Sequence, residues 1–166
     1  TDLLTFCEDK VLNILANKDA LYNADGNSQL TASANVLGQT TPYVGEYGIS
    51  KNPESLASYG FRTYFTDKSR GTVLRLSSDG LEPIADKGMS AFFFDNLPIC
   101  NTLIGSFNDS KGSYNLTLSA LTPAWQSLFA TGQYDRTNPD CSDYVPEGLV
   151  PQTTVTFKEN ADGWTS

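Results

Sequence analysis

Acid–base chemistry in this chain would fall to its carboxylates, because the sequence contains no His. Imidazole triads and imidazole metal sites are thereby excluded. No G-x-S-x-G elbow or S-x-x-K pair occurs, nor either glycine-rich phosphate loop. Asp67, Asp109, Asp79, Glu54, Glu46 and Asp95 could in principle pair and hydrolyse a glycoside. Asp67, Asp79 and Asp109, however, each stand beside a turn glycine, where Asp serves local backbone hydrogen bonds. The sequence therefore assigns them to turns and predicts no enzyme, no catalytic residue and no cofactor. Asn23-Ala24-Asp25-Gly26-Asn27 offers oxygen ligands but lacks the spacing and closing Glu of a calcium loop, so it reads as a turn and no metal is expected. Arg62, Lys68, Arg70 and Arg75 form a basic cluster in an acidic chain. They read as solubilising charges on a hairpin tip or, more sharply, as a docking site for an acidic neighbouring subunit.

The element that must carry this cluster runs from Tyr64 to Gly80. Thr72, Leu74 and Leu76 alternate with Val73 and Arg75, which is the period of a half-buried strand. Asp67 and Gly71 supply turn chemistry, and Asp79-Gly80 supplies a second turn. The same order of parts recurs from Leu103 to Leu118, with Phe107 matched to Phe65, Asp109 to Asp67 and Gly112 to Gly71. Looser copies lie at Thr154–Trp164 and at Ile14–Tyr22. Hairpins at a spacing of about 40–50 residues predict a mainly β fold of antiparallel hairpin repeats, propeller-like blades forming a partial propeller, joined by long irregular loops.

Between the repeats, Asn17-Lys18-Asp19 reads as a turn; the apolar segment Val11–Ala16 reads as a strand, with a helix over Leu3–Leu15 as the competing reading. Residues 28–53, rich in Thr, Ser, Gly, Asn and Pro, read as an ordered loop closed by a short helical turn at Pro53–Ala57 with Asn52 as its cap. Asp86–Asn96 reads as one helix bearing Met89, Phe92 and Phe93. Residues 121–151, Pro-rich and aperiodic, read as an inserted loop within a single module spanning 1–166.

Composition narrows the function. A net charge of −8 with 11 Lys plus Arg disfavours nucleic acid, and no apolar run approaches a membrane span. Cys7, Cys100 and Cys141 are odd in number and widely spaced, which suits reduced structural thiols in a reducing cytoplasm. The first residue, Thr1, and an end at Gly163-Trp164-Thr165-Ser166, where a strand should begin, suggest a piece of a longer chain.

Asn52-Pro53-Glu54-Ser55, Tyr64-Phe65-Thr66-Asp67-Lys68 with Gly71, Leu74-Arg75-Leu76-Ser77, Asp79-Gly80-Leu81 and Leu103–Leu118 together resemble a segment of the large virion structural proteins of tailed bacteriophages, of the marine cyanophage and crAss-like type. The likeness covers most of residues 11–118 and the end, and leaves 121–151 outside. It implies a passive tail or neck component, present in many copies in the virion and assembled in the bacterial host cytoplasm. Its partners would be other virion structural proteins and further copies of itself, with no nucleic acid, membrane or active site involved. The alternative is a carbohydrate-binding or glycoside-hydrolysing propeller module of a phage fibre, in which Tyr134 or Trp125 would stack on sugar.

Overall fold

The computed structural model describes residues 2–22, 24–120 and 152–165. The described residues are mainly β, in three antiparallel sheets. The first sheet holds β1 (Leu3–Phe6), β2 (Val11–Tyr22) and β3 (Ser28–Pro42). Two four-stranded meanders follow. One contains β4 (Ala57–Tyr59), β5 (Arg62–Asp67), β6 (Thr72–Ser77) and β7 (Gly80–Pro83). The other contains β8 (Thr102–Asn108), β9 (Ser113–Ser119), β10 (Thr153–Lys158) and β11 (Gly163–Thr165). In each meander the spatial order equals the chain order. A 3-10 turn at Ile84–Asp86, the helix α1 (Ser90–Asn96) and a 3-10 turn at Leu97–Ile99 connect them.

The predicted repeat is present, in a register that differs by one residue at its tip. Asp67 pairs with Thr72, Asn108 with Ser113 and Lys158 with Gly163, each closing a four-residue loop. The counterpart of Asp67 is thus Asn108, not Asp109, and Phe107 corresponds to Thr66, not Phe65. The chemistry explains the substitution: Asp67 Oδ1 accepts the Arg70 N–H at 3.1 Å, and Asn108 Oδ1 accepts the Lys111 N–H at 3.2 Å. The loops share a last residue in the left-handed region, Gly71 at φ +63°, Gly112 at +58° and Asp162 at +47°. Asp tolerates that region better than most side chains, which leaves Gly163 free to begin β11.

Other expectations need correction. Residues 28–42 are not loop but one long strand, and Asn17-Lys18-Asp19 lies inside its partner β2. Asn17 has φ +55° and the pairing register shifts between Ile14 and Lys18, so the turn-forming residue marks an irregularity within the strand instead of an end. The segment 11–22 is accordingly no copy of the meander repeat. The helix expected over Asp86–Asn96 is confined to Ser90–Asn96, because Gly88 at φ +100° interrupts it. The 3-10 turn Pro53–Ser55 forms as expected, but Asn52 makes no side-chain cap; the Ser55 hydroxyl donates to the Asn52 carbonyl at 2.8 Å instead. The 121–151 insert, with Trp125, Tyr134 and Cys141, lies outside the described residues.

The meanders pack face to face, first strand on first, second on second. Tyr59 of β4 stacks on Phe107 of β8 (centroids 4.6 Å apart), and Tyr64 of β5 stacks on Tyr114 of β9 (5.0 Å). Arg75 of β6 lies over Phe157 of β10, and Trp164 of β11 donates its indole N–H to the Ile84 carbonyl just beyond β7. Tyr64, Val73, Leu103, Tyr114, Leu116, Leu118, Val155 and Phe157 fill this seam, all buried, with Phe93 and Leu97 from the connecting helical segment. The other face of the β4–β7 meander is covered too: Phe65, Leu74 and Leu76 join Val11 and Ile49 in a second core. Each fully buried side chain of this size contributes about 1.5–3 kcal/mol.

Cys100 sits fully buried in the first core, and burial pushes its thiol up to about 11. The thiolate is the reactive form. Cys100 is therefore expected to resist maleimide at pH 7.5 in the native protein and to label only on unfolding, while half-buried Cys7 labels earlier. Peptide mapping after timed labelling distinguishes the two, and early modification of Cys100 would contradict its place in the core.

Candidate functional site

The four cations singled out by the sequence divide between two places. Arg62 at the start of β5 and Arg75 on β6 both reach Glu159, in the β10–β11 loop of the facing meander. Arg62 Nη1 lies 3.1 Å and Arg75 Nη1 2.9 Å from Glu159 Oε2. The Tyr64 hydroxyl donates to the other Glu159 oxygen. Arg75 also donates to Glu82 at 2.6 Å, and Lys87 bridges Glu82 (3.3 Å) and Asp162 (2.8 Å). A chain of alternating charge thus crosses from one meander to the other. Arg75 and Glu159 are 15% and 12% exposed, so water screens this pair far less than a surface pair.

The electrostatics follow from this arrangement. Burial alone would lower the Arg75 pKa, but hydrogen bonds to Glu82 and Glu159 outweigh it and raise it. The Arg75 hydrogen bond holds Glu82 below the usual carboxylate range, and Lys87 does the same to exposed Asp162. Lys87 is raised in turn by Asp162 and Glu82. Burial, together with the bond to Glu159, places the Tyr64 phenol well above its usual range, and burial does the same to Tyr114.

These shifts fix the sign of the pH dependence. The depressed carboxylates contribute stability that is present above their ordinary values and lost as pH falls through the folded ones. The raised groups, Cys100, Tyr64, Tyr114 and Lys87, contribute stability that is lost as pH rises past their ordinary values. The urea midpoint is expected to be flat between about pH 5 and 8 and to fall on both sides. Glu82→Gln should flatten the acid limb specifically; an unchanged acid limb would remove Glu82 from the network.

The second place is the β5–β6 loop. Asp67 is fully buried there and accepts four donors. These are the Gly48 N–H (3.1 Å), the Ser50 hydroxyl (3.1 Å), the Arg70 N–H (3.1 Å) and Arg70 Nη1 (2.9 Å). A carboxylate holds about four such bonds, so Asp67 is committed to tying loop 43–52 to the hairpin tip. Gly48 permits that approach: a Cβ there would sit 2.3 Å from the Glu8 carbonyl oxygen. Lys68 is paired with no carboxylate among the described residues, and lines a shallow cleft with Glu8, Ser50, Lys51, Asn52, Ser69 and Pro98. Asp79 and Asp109, the other turn acids, are exposed. Among the described residues no group of three or more acidic or thiol side chains could hold a metal ion.

Arg62, Arg70 and Arg75 are thus held by partners within the chain, and half-buried Lys68 is the one of the four with no carboxylate partner among the described residues. Sequence reasoning missed Glu159, which lies 84 positions from Arg75 and 95 from Tyr64. The repeat itself holds the clue, since Glu159 occupies the first loop position of the third hairpin, the place of Lys68 in the first and Asp109 in the second. No protein-family model matches the chain, and neither does any curated protein.

Proposed function

We propose that this chain is a non-catalytic structural component of a tailed-phage virion, in the tail or neck, and that its meanders are successive blades of a propeller-like stack. The observation that carries this reading is the strand-for-strand packing of two consecutive four-stranded meanders, closed by an ion-pair chain that takes in Arg62 and Arg75 of the cationic cluster. Fixed partners and dry packing suit a body that bears load through assembly. Asp67, the most buried of the candidate acids, is fully occupied as an acceptor. The resemblance to phage virion proteins covers most of residues 11–118 and the end, a stretch that takes in the facing strands β4 to β9.

The module works among further copies of itself and other virion proteins, is assembled in the host cytoplasm, and engages neither nucleic acid nor membrane. Lys68, in the β5–β6 loop and without a carboxylate partner among the described residues, is the cation of the cluster left to meet an acidic neighbour. Mass spectrometry of purified particles tests the reading. Peptides from 57–119 are expected at the molar level of other structural proteins. Their confinement to the particle-free fraction, or glycan turnover by the purified chain, would overturn it.

A further inference from the structure

A cleft of about 570 Å³ lies where loop 43–52, the β5–β6 loop and α1 meet. Its walls are held by packing. Gly71, buried and in the left-handed region, approaches α1 so closely that a Cβ there would sit 2.8 Å from the Phe94 Cα. Half-buried Tyr47 packs on the second core, and its neighbour Gly48 is tied to Asp67. Phe94 is 68% exposed, although Phe92 and Phe93 beside it pack on the first core. Asp86, from the 3-10 turn before α1, and Asp95, on α1, complete the rim; both are exposed, and neither pairs with a cation among the described residues. Arg70 is the one cation in the lining, and its guanidinium lies 2.9 Å from fully buried Asp67, which offsets its charge. The cleft therefore sets two uncompensated carboxylates beside two aromatic rings. Two other clefts differ in kind: the one at Phe61 holds a single acid, Asp79, beside Arg62 and Arg75, and the one at Lys68 holds two lysines beside Glu8.

We infer that this cleft binds an arginine side chain presented by an exposed basic segment of a partner protein. A guanidinium is planar, forks onto carboxylates, stacks on aromatic faces and is more weakly hydrated than an ammonium. Asp86 and Asp95 offer the carboxylates, and Phe94 and Tyr47 offer the rings. The net charge of −8 draws a basic segment from a distance, whereas an acidic occupant would be repelled by Asp86 and Asp95. The virion role does not depend on this site, and either can fail without the other.

The test uses the purified 166-residue chain and a dye-labelled Gly-Arg-Gly-Arg-Gly peptide, read by fluorescence anisotropy at about 0.15 M salt. Lysine and citrulline versions of the peptide serve as comparisons, since citrulline keeps the shape of arginine without its charge. The arginine peptide should bind saturably, the lysine peptide more weakly and the citrulline peptide not at all. Asp86→Asn/Asp95→Asn should weaken binding on the order of tenfold, and Phe94→Ala about threefold. The control Asp79→Asn/Asp109→Asn removes two charges from other turns and should change binding by no more than about twofold. All five altered side chains are exposed, so each variant is expected to keep its fold by circular dichroism. Four results would overturn the assignment. They are no saturable binding, equal losses in the cleft and control variants, citrulline binding as well as arginine, or concentration-dependent amide shifts over 86–95 without peptide, which would make a second copy the occupant.

Discussion

Gly105→Ala is expected to cost about 3 kcal/mol or more, or to prevent folding. Gly105 sits in β8 where the strand crosses the 3-10 turn at Pro53–Ser55. A Cβ there would lie 2.0 Å from the Ser55 carbonyl oxygen, 2.7 Å from its carbon and 2.8 Å from the Tyr114 hydroxyl. Two of those three atoms are backbone, so no side chain can swing aside. That same Ser55 oxygen accepts the buried Tyr114 hydroxyl at 2.7 Å. Moving β8 away would break that bond and part the Tyr59–Phe107 stack. Gly163→Ala is the control, because its nearest neighbour is the Ala161 oxygen at 3.7 Å and its backbone is not left-handed. Urea unfolding of both variants reads the difference. A cost for Gly105→Ala no greater than for the control would mean that the seam is loose.

The second large effect is Glu159→Ala, expected to lose about 3 kcal/mol. The substitution strips Arg75 of one of its two carboxylates, leaves Arg62 without its pair and deprives the buried Tyr64 hydroxyl of its acceptor. Most of the loss comes from the groups left behind. Breaking a buried pair costs more than the pair itself contributes. The double variant Arg75→Leu/Glu159→Leu should therefore be more stable than the sum of its singles implies, by about 1 kcal/mol or more. Strict additivity in that cycle would show that the pair carries no coupling across the seam.

How much of this was legible in the sequence depended on the range of the interaction. The hairpins were readable because strand period and turn chemistry are local: Leu74 and Leu76 alternate with Arg75, and Gly71 and Gly112 mark the left-handed loop ends. The mismatch of Asp109 for Asn108 arose because both lie at a polar tip and only the hydrogen bond to Lys111 separates them. β3 was misread as loop because its Thr, Ser, Gly and Asn residues carry turn propensity, and only pairing with β2 makes it a strand. Double burial of the β4–β7 meander corrects the half-buried strand expected from Thr72, Leu74 and Leu76: the adjacent pairs Tyr64-Phe65 and Val73-Leu74 are buried on both faces. The cationic cluster was found but its partners were not. Glu82 meets Arg75 across the β6–β7 ladder, but Glu159 reaches it only after two meanders close on each other; the repeat marks the loop position of Glu159 and not its partner.

The most direct test of the structural role is electron cryomicroscopy of intact particles. The expected map holds repeated copies of two four-stranded sheets packed face to face, with β5 over β9 and Glu159 on Arg75. A map fully accounted for without such a unit, or one in which the two sheets stand apart, would contradict it.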